Sequence, residues 1–157
     1  MADVTAELLR KVYIFQDLTG KELDQVIGIC EHETYPAETV IVKDGDPGDK
    51  MYLIIDGCVR IQKDIKGIGS EALAVLKAGD FFGEMALVDD IERSADAIAH
   101  EGPADVLAIQ QDKFESLLFL NKDLAHTILW AFVRTLSNRL RETNEKLRGF
   151  FAMSGGF

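Results

Sequence analysis

Cysteine and histidine are scarce in this sequence. Cys30 and Cys58 are its two cysteines, so there is no disulfide framework and no CxxC metal or redox motif. We expect both thiols to pack as small apolar side chains. The three histidines, His32, His100 and His126, are scattered over segments of different type. They read as isolated surface residues, and no metal site is predicted.

Long apolar runs and basic residues are scarce too. The longest uncharged apolar stretch, 124–133, is far shorter than the roughly 20 residues of a membrane span, and the N-terminus lacks a signal-peptide pattern. With 17 Lys and Arg against 27 Asp and Glu, the net charge is −10. Nucleic-acid phosphates and anionic lipids repel such a chain. These absences predict a cytoplasmic protein that has neither a membrane nor a nucleic acid as a direct partner.

Catalytic motifs are also missing. No Ser or Cys nucleophile has a motif around it, and no cluster resembles the metal ligands of a phosphodiesterase. We therefore predict no catalytic residue and do not expect an enzyme. The composition is that of a globular protein, 47% hydrophobic and 28% charged over 157 residues. That length suits one domain and not comfortably two, so 1–157 is treated as a single domain.

Helical spacing marks both ends of the chain. Apolar residues at helical spacing predict a short amphipathic helix over 6–14. The next helix is predicted to begin at Thr19, because Thr19 and Glu22 have the spacing of a capping box. These N-terminal helices occupy 1–31. Toward the other end, the C-terminal helices are assigned to 112–150, as one short helix over 112–120 and one long helix over 122–150; a frayed tail follows over 151–157.

Between 32 and 111 the hydrophobic period is that of β-strands. Short runs rich in β-branched residues alternate with glycine-containing turns, which predicts an antiparallel sandwich or barrel. We expect the turn glycines to supply positive φ angles. The predicted strands are 39–42, 51–55, 59–61, 73–76 and 106–109, and the turns are 44–48, 56–57, 66–69 and 78–80. Four phenylalanines are assigned to the core: Phe81, Phe82, Phe114 and Phe119.

The long helix carries a second apolar pattern. Alternating spacings of four and three form a heptad seam that runs past the length needed to cover its own domain. The seam predicts a homodimer through this helix; a helix lying along its own sheet is the alternative. One seam position is a polar threonine, which indicates register control or contact with something polar. The seam consists of Leu129, Val133, Leu136, Leu140, Thr143, Leu147 and Phe150.

The densest chemical signal lies in 78–95. Gly83 precedes good helix formers, so a single helical turn starting near Glu84 is predicted to present free backbone N–H groups to an anion. Arg93 offers a planar fork matched to a phosphate, and Ser94 adds a hydroxyl. Glu84 repels a phosphate unless it accepts a hydrogen bond from a sugar hydroxyl. These residues predict a site for a sugar phosphate or a nucleotide; a structural Glu84–Arg93 ion pair is the alternative.

The string GEMAL at 83–87 with RSA at 93–95 closely resembles the phosphate-binding cassette of cyclic-nucleotide-binding domains. The resemblance covers nearly the whole chain through further motifs at 14–18, 44–48, 52–57 and 78–83. It implies an α+β fold, mainly a β jelly roll of about eight strands, with N-terminal helices and a long C-terminal helix. The roll would occupy 32–111 and the cassette 82–95.

The resemblance also implies roles for the cassette residues. Backbone amides after Gly83 and the Arg93 guanidinium would hold the cyclic phosphate, and Glu84 would bind the ribose 2′-hydroxyl. Ser94 would assist the phosphate. The ERSA string at 92–95 looks more like the bacterial catabolite activator branch than the kinase regulatory branch, in which Pro precedes the Arg. The cassette residues expected at the ligand are Gly83, Glu84, Met85, Ala86, Arg93, Ser94 and Ala95.

The long helix resembles the activator's dimer helix over 139–147. Arg139, Thr143 and Asn144 are the expected ligand residues there. Thr143 matches the threonine that reads adenine, whereas Asn144 stands in place of a serine. Trp130, partly off the seam, reads as a cover for the sheet or the mouth of the ligand site. The activator continues into a helix-turn-helix domain and this chain ends just after the helix.

The combined prediction is a regulatory module that binds a cyclic nucleotide, cAMP rather than cGMP, and signals through its C-terminal helix to an unidentified protein partner. No cofactor is expected besides this ligand. Two alternatives stay open. In the first alternative, the chain is a scaffold domain that keeps the fold without binding a ligand. In the second, it is the regulatory fragment of a larger transcription factor, channel or kinase.

Overall fold

The computed structural model describes residues 2–155. Along the chain, N-terminal helices precede and C-terminal helices follow the strands of two antiparallel four-stranded sheets. This confirms the α+β, jelly-roll-like fold class. A 3₁₀ turn, Glu84–Leu87, lies between the sixth and seventh strands. The elements in chain order are α1 Ala2–Arg10, α2 Gly20–Ile27, β1 Cys30–Tyr35, β2 Val40–Val42, β3 Lys50–Asp56, β4 Cys58–Ile65, β5 Gly69–Lys77, β6 Phe81–Phe82, β7 Asp96–Ala99, β8 Ala104–Gln110, α3 Gln111–Leu120 and α4 Lys122–Met153.

The first sheet, in the order β1-β8-β3-β6, is the middle layer of the molecule, and the second has the order β2-β7-β4-β5. In β3, Met51 and Leu53 pack into a core shared with the helices, whereas Tyr52 and Ile54 pack into the core between the sheets. Side chains alternate between the faces of a strand. Since both faces of β3 are covered, its sequence is a continuous apolar run rather than an alternating one.

The N-terminal helix is shifted from its predicted place. α1 ends at Arg10, and tight turns follow, in which the amides of Val12 and Phe15 donate to carbonyls three residues earlier. Val12, Ile14, Phe15 and Leu18 are all buried here. One straight helix would spread these positions around its circumference, so the helix predicted over 6–14 is wrong beyond Arg10. The capping box that starts α2 at Thr19 is confirmed.

The strand prediction is right for the five apolar runs and incomplete elsewhere. None of β1, β6 and β7 was predicted, and β1 begins at Cys30, within the segment 1–31 that was assigned to helices. β1 is rich in charged residues, β6 has two residues, and β7 is the alanine-containing string DAIA. These segments lack the run of β-branched residues that marks a strand in a sequence, and long-range pairing defines them instead: β7 lies between β2 and β4.

Three expectations for the C-terminal helices need correction. α4 continues to Met153, so residues 151–153 are helical rather than part of a frayed tail; Gly156 and Phe157 lie outside the described residues. Phe119 is 73% exposed at the end of α3 and is not core. Trp130 is 49% exposed, donates to His126 one turn earlier on α4, and lines a pocket formed by residues of α4 itself, His126, Leu129 and Val133. Within 2–155, no helix is long and apolar enough to cross a membrane.

Candidate ligand-binding site

The turn after β6 is built on a glycine that no other residue can replace without strain. Gly83 has φ of 77° and directly precedes the 3₁₀ turn, as predicted. A Cβ atom added to Gly83 would lie 2.4 Å from Nη1 of Arg93 and 2.9 Å from the carbonyl oxygen of Lys50. Gly83 therefore provides both a left-handed backbone conformation and the space in which the Arg93 guanidinium lies.

The Arg93 guanidinium is partly buried and incompletely bonded. Its Nη2 donates to the carbonyl of Lys50 at 2.5 Å, and its central carbon lies 5.9 Å from the centre of the Tyr52 ring. Its Nε is buried without a hydrogen-bond partner, and among the ion pairs formed within 2–155 none includes Arg93. A sheltered guanidinium with a free donor is suited to an anion.

The backbone of Arg93 is held by the turn between β2 and β3. The Arg93 amide donates to the carbonyl of Asp46 at 2.8 Å, and the Gly45 amide donates back to the carbonyl of Arg93 at 2.9 Å. A Cβ atom added to Gly48 would lie 2.8 Å from the carbonyl oxygen of Ile91. Gly48 is thus needed for space rather than for a positive φ, unlike Gly45. This turn fixes the direction in which the Arg93 side chain leaves the backbone.

A cavity of about 260 Å³ lies beside Arg93. Burial raises the pKa of the Tyr52 phenol that lines it. Two carboxylates, Asp46 and Asp49, also line this space, and Glu84 does not. The complete lining is Ile41, Val42, Asp46, Pro47, Asp49, Tyr52 and Arg93. The cavity therefore lies on the Arg93 side of the cassette. Glu84 has other contacts.

Glu84 pairs with the long helix rather than with Arg93. Its Oε1 accepts a hydrogen bond from Nη1 of Arg139 at 3.0 Å. The Glu84 side chain is 12% exposed and that of Arg139 is 49% exposed. The alternative of a structural Glu84–Arg93 ion pair is therefore wrong, because the Glu84 partner is an arginine of α4. This ion pair connects the cassette directly to the C-terminal helix.

Tyr13 is a third member of this contact and was not predicted as a site residue. The Arg139 guanidinium lies 5.2 Å from the centre of its ring. Its hydroxyl is buried without a hydrogen-bond partner. Burial, followed by the nearby Glu84 carboxylate, raises the pKa of Tyr13 to about 12. The available signal for this role was a tyrosine inside the apolar string VYIF. The helix predicted over 6–14 instead placed this tyrosine on an amphipathic face.

The other cassette residues lie around these groups. Ala86 is buried, and Met85 and Ala95 are partly buried. Ser94 is exposed, and its backbone carbonyl accepts a hydrogen bond from Nζ of Lys63 at 2.9 Å. The structure therefore brings Gly83 and Arg93 together, but it directs Arg93 to the carbonyl of Lys50 and leaves the Ser94 hydroxyl at the surface.

Thr143 and Asn144 lie beyond the contact between α4 and the cassette. Both are exposed. The Thr143 hydroxyl donates to the carbonyl of Arg139 in its own helix at 2.8 Å. Because an α-helix rises 1.5 Å per residue, Thr143 lies about 6 Å further along α4 than Arg139. Within one chain, the helix therefore reaches the cassette through Arg139, and Thr143 lies one turn further along nearly the same face, with Asn144 next to it in the sequence.

Two of the scattered histidines and cysteines, His100 and Cys30, have local partners. His100 contacts Arg60, with 2.7 Å between Nδ1 and Nη1. Cys30 donates to the carbonyl of Val26 at 3.3 Å, and burial raises the pKa of its thiol to about 12. Within the described part of the chain, no group of three or more His, Cys, Asp or Glu side chains is arranged to hold a metal ion.

Comparisons with known proteins agree with this architecture. A family model described as "Cyclic nucleotide-binding domain" matches residues 32–121. The chain is 33% identical over 134 residues to the cyclic AMP receptor protein of Thermus thermophilus, covering 85% of this chain and 60% of that protein. It is 32% identical over 116 residues to cGMP-dependent protein kinase, isozyme 1, of Drosophila melanogaster, covering 73% of this chain and 15% of the kinase.

Among solved structures, the N-terminal domain of a transcriptional regulator from Streptomyces coelicolor is similar throughout, with a TM-score of 0.80 and 25% identity. The match covers 89% of this chain and 94% of that domain. By contrast, the chain spans three fifths or less of the length of the receptor and the kinase. The similarity therefore concerns one regulatory domain of each of these longer proteins.

Proposed function

The chain belongs to the cyclic nucleotide-binding domain family, and on that premise we propose that it is a regulatory module for cAMP. In this proposal the cyclic phosphate binds at Arg93 and the amides that follow Gly83. The ribose 2′-hydroxyl binds Glu84, and α4 carries the signal to a partner. The observation that carries the proposal is the partly buried Arg93 guanidinium, packed on Gly83, with an unused Nε donor and no carboxylate partner among the described residues.

The phosphate is the group that suits Arg93. A guanidinium binds phosphate oxygens through parallel N–H donors, and such charge-assisted hydrogen bonds are stronger than neutral ones. In this structure one N–H group is used by the carbonyl of Lys50. The 3₁₀ turn that begins at Glu84 adds the amides of its first residues, whereas the Ala86 amide already donates to the carbonyl of Gly83. Met85, Ala86 and Ala95 complete the backbone around the phosphate in this assignment.

The preference for cAMP over cGMP is assigned to Thr143, with Asn144 beside it, and to Ser94, where many cGMP-type sites carry threonine. The relatives do not decide the matter, because their names refer to cyclic AMP in one case and to cGMP in another. For Thr143 to reach a base, its hydroxyl must leave the carbonyl of Arg139. Thr143 also lies on the apolar seam, where a second subunit would bring Asn144 near the ligand.

The proposed signalling through α4 is based on the ion pair between Glu84 and Arg139. A ribose hydroxyl that binds Glu84 shares this carboxylate with Arg139, so ligand binding changes the strength of the contact with α4. The ligand then has a different affinity for α4 with and without this contact, which is the requirement for a ligand to shift a conformational equilibrium. The exposed seam of α4 is the surface through which we propose that two subunits associate and respond to this shift.

Calorimetric titration of cAMP and cGMP into the wild type and Arg93→Ala tests the proposal. Removing Arg93 leaves a bound phosphate without its cation, at a cost of about 2–5 kcal/mol, or roughly a 30- to 4,000-fold loss of cAMP affinity. Arg60→Ala is the matched control, since Arg60 on β4 is also partly buried but pairs with Glu38 in the turn before β2. We expect it to bind cAMP like the wild type.

Two results would refute parts of this assignment. If the wild type binds neither nucleotide, the domain is not a cyclic-nucleotide sensor and the scaffold alternative replaces it. If Arg93→Ala and Arg60→Ala bind cAMP equally well, the ligand site lies elsewhere in the chain. Tighter binding of cGMP than of cAMP would remove the base-reading role of Thr143 and keep the phosphate site.

A further inference from the structure

Three distant parts of the chain meet at the Glu84 carboxylate. Tyr13 comes from the connection between α1 and α2, Glu84 begins the 3₁₀ turn, and Arg139 comes from α4. The Glu84 side chain is 12% exposed, so the groups around it decide which hydrogen bonds it can form. Tyr13 has no role in the phosphate contacts described above. Its position therefore calls for a separate explanation.

The ring of Tyr13 is held in place by aromatic and cationic neighbours. It packs against Phe81 and Phe132, with 5.8 Å between the ring centres in each case. The Arg139 guanidinium lies over it at 5.2 Å from the ring centre, which is within the range of cation–π attraction. The ring thus fixes the guanidinium that pairs with Glu84, and its own neighbours leave it little freedom to move.

The hydroxyl of Tyr13, unlike its ring, is not held by its neighbours. It is buried and forms no hydrogen bond of ordinary geometry, but it approaches the Glu84 carboxylate closely enough that both the charge of Glu84 and hydrogen bonding to it raise the pKa of Tyr13. Since that pKa is about 12, the hydroxyl is protonated at neutral pH and remains a donor. A buried donor without an acceptor is destabilising, whereas a carboxylate has two oxygens with room for several donors.

We propose that Tyr13 is a positioning residue for Glu84, which donates a hydrogen bond to that carboxylate when the sugar hydroxyl of a cyclic nucleotide binds there. The inference rests on the proposed function, because it assigns Glu84 to the sugar. One carboxylate oxygen then accepts from Tyr13 and the other from the 2′-hydroxyl. The donor that has no acceptor in the present arrangement gains one when the ligand binds.

Tyr13→Phe removes the hydroxyl and keeps the ring under Arg139. We expect this variant to bind cAMP about tenfold more weakly than the wild type, which corresponds to about 1.4 kcal/mol and to one hydrogen bond with a charged acceptor. The second ligand is 2′-deoxy-cAMP, which lacks the hydroxyl that Glu84 would hold. Its affinity should be nearly the same in both proteins, so the ratio of the two affinities falls about tenfold in Tyr13→Phe.

Thermal unfolding without ligand separates this role from a structural one. Because the Tyr13 hydroxyl has no hydrogen-bond partner, Tyr13→Phe should unfold at the same temperature as the wild type or a higher one. Tyr35→Phe is the control: its hydroxyl donates to Glu33 at 2.5 Å, so this variant should lose stability. Its ratio of cAMP to 2′-deoxy-cAMP affinity should stay that of the wild type.

The possible outcomes are distinct. Equal weakening of both ligands in Tyr13→Phe, or no weakening of either, overturns the inference and leaves the cyclic-nucleotide site intact. A wild type that binds neither ligand overturns the proposed function and this inference with it. Weakening confined to cAMP, in a variant as stable as the wild type, supports the role of Tyr13.

Discussion

The two halves of α4 have opposite surroundings although they form one uninterrupted helix. In the first half, Leu124, Ile128 and Phe132 are buried in the core that the helices share with the first sheet. From 138 to 153 every residue is exposed, including Leu140 at 62% and Leu147 at 50%. Helical propensity alone does not distinguish the halves. The first half is stabilised by its own chain, whereas the second half presents an exposed apolar seam that nothing in residues 2–155 covers.

Truncation of a buried residue in the first half should have the largest effect. Phe132 is 3% exposed and also packs on Tyr13, so Phe132→Ala should lower the free energy of unfolding by about 3–5 kcal/mol. Phe151→Ala is the matched change in the second half, where the ring is 62% exposed; it should cost less than about 0.5 kcal/mol. Urea denaturation at low protein concentration measures both. Similar losses would erase the distinction between the halves.

Changes to the seam should affect association rather than folding. We expect Leu140→Ser with Leu147→Ser to weaken the proposed homodimer on the order of 100-fold, since the loss of both leucines from two helices costs on the order of 3 kcal/mol. Sedimentation equilibrium gives the dissociation constants. Leu120→Ser, an 81% exposed leucine on α3, should leave association unchanged. A wild type that is monomeric at every concentration would show that the seam has another use.

The smallest expected effect concerns the residue at which α4 starts. Asn121 caps the helix, with its Oδ1 accepting from the Leu124 amide at 3.1 Å. Asn121→Ala should therefore cost about 1 kcal/mol of unfolding free energy. Asn121→Ser, which retains a capping oxygen, should recover most of that loss. Thermal or urea unfolding compares them with Asn138→Ala on the exposed half; an equal loss in Asn138→Ala would mean that capping does not anchor the first half.

Local signals predicted elements well where the local pattern and the final packing agree. Thr19 and Glu22 are close in the chain, so their capping box forms wherever the helix lies. Gly83 and the turn after it depend on backbone conformation at neighbouring residues. By contrast, β7 has little local character and is a strand because β2 and β4 lie on either side of it. Its recognition needs the pairing of distant segments.

The residues of the candidate site differ in the same way, because some belong to one short motif and others come from distant segments. Arg93 and Gly83 belong to one short motif, and the structure packs them together. Arg139 was expected at the ligand. Its ion pair with Glu84 was not predicted, because Glu84 lies 55 residues away in the chain. Tyr13 was missed because its segment turns tightly after Arg10 and carries the ring to a helix from the other end of the chain.

What the amino-acid sequence determined by itself is the family, the order of helices and sheets, and the arginine–glycine cassette. Each of these depends on short motifs or on the hydrophobic period of neighbouring residues. The tertiary structure decided that Glu84 pairs with Arg139, that Tyr13 lies beneath that arginine, and that the apolar seam in the second half of α4 is left exposed. These facts follow from which surfaces meet when the sheets and helices pack, and distance along the chain does not limit such contacts.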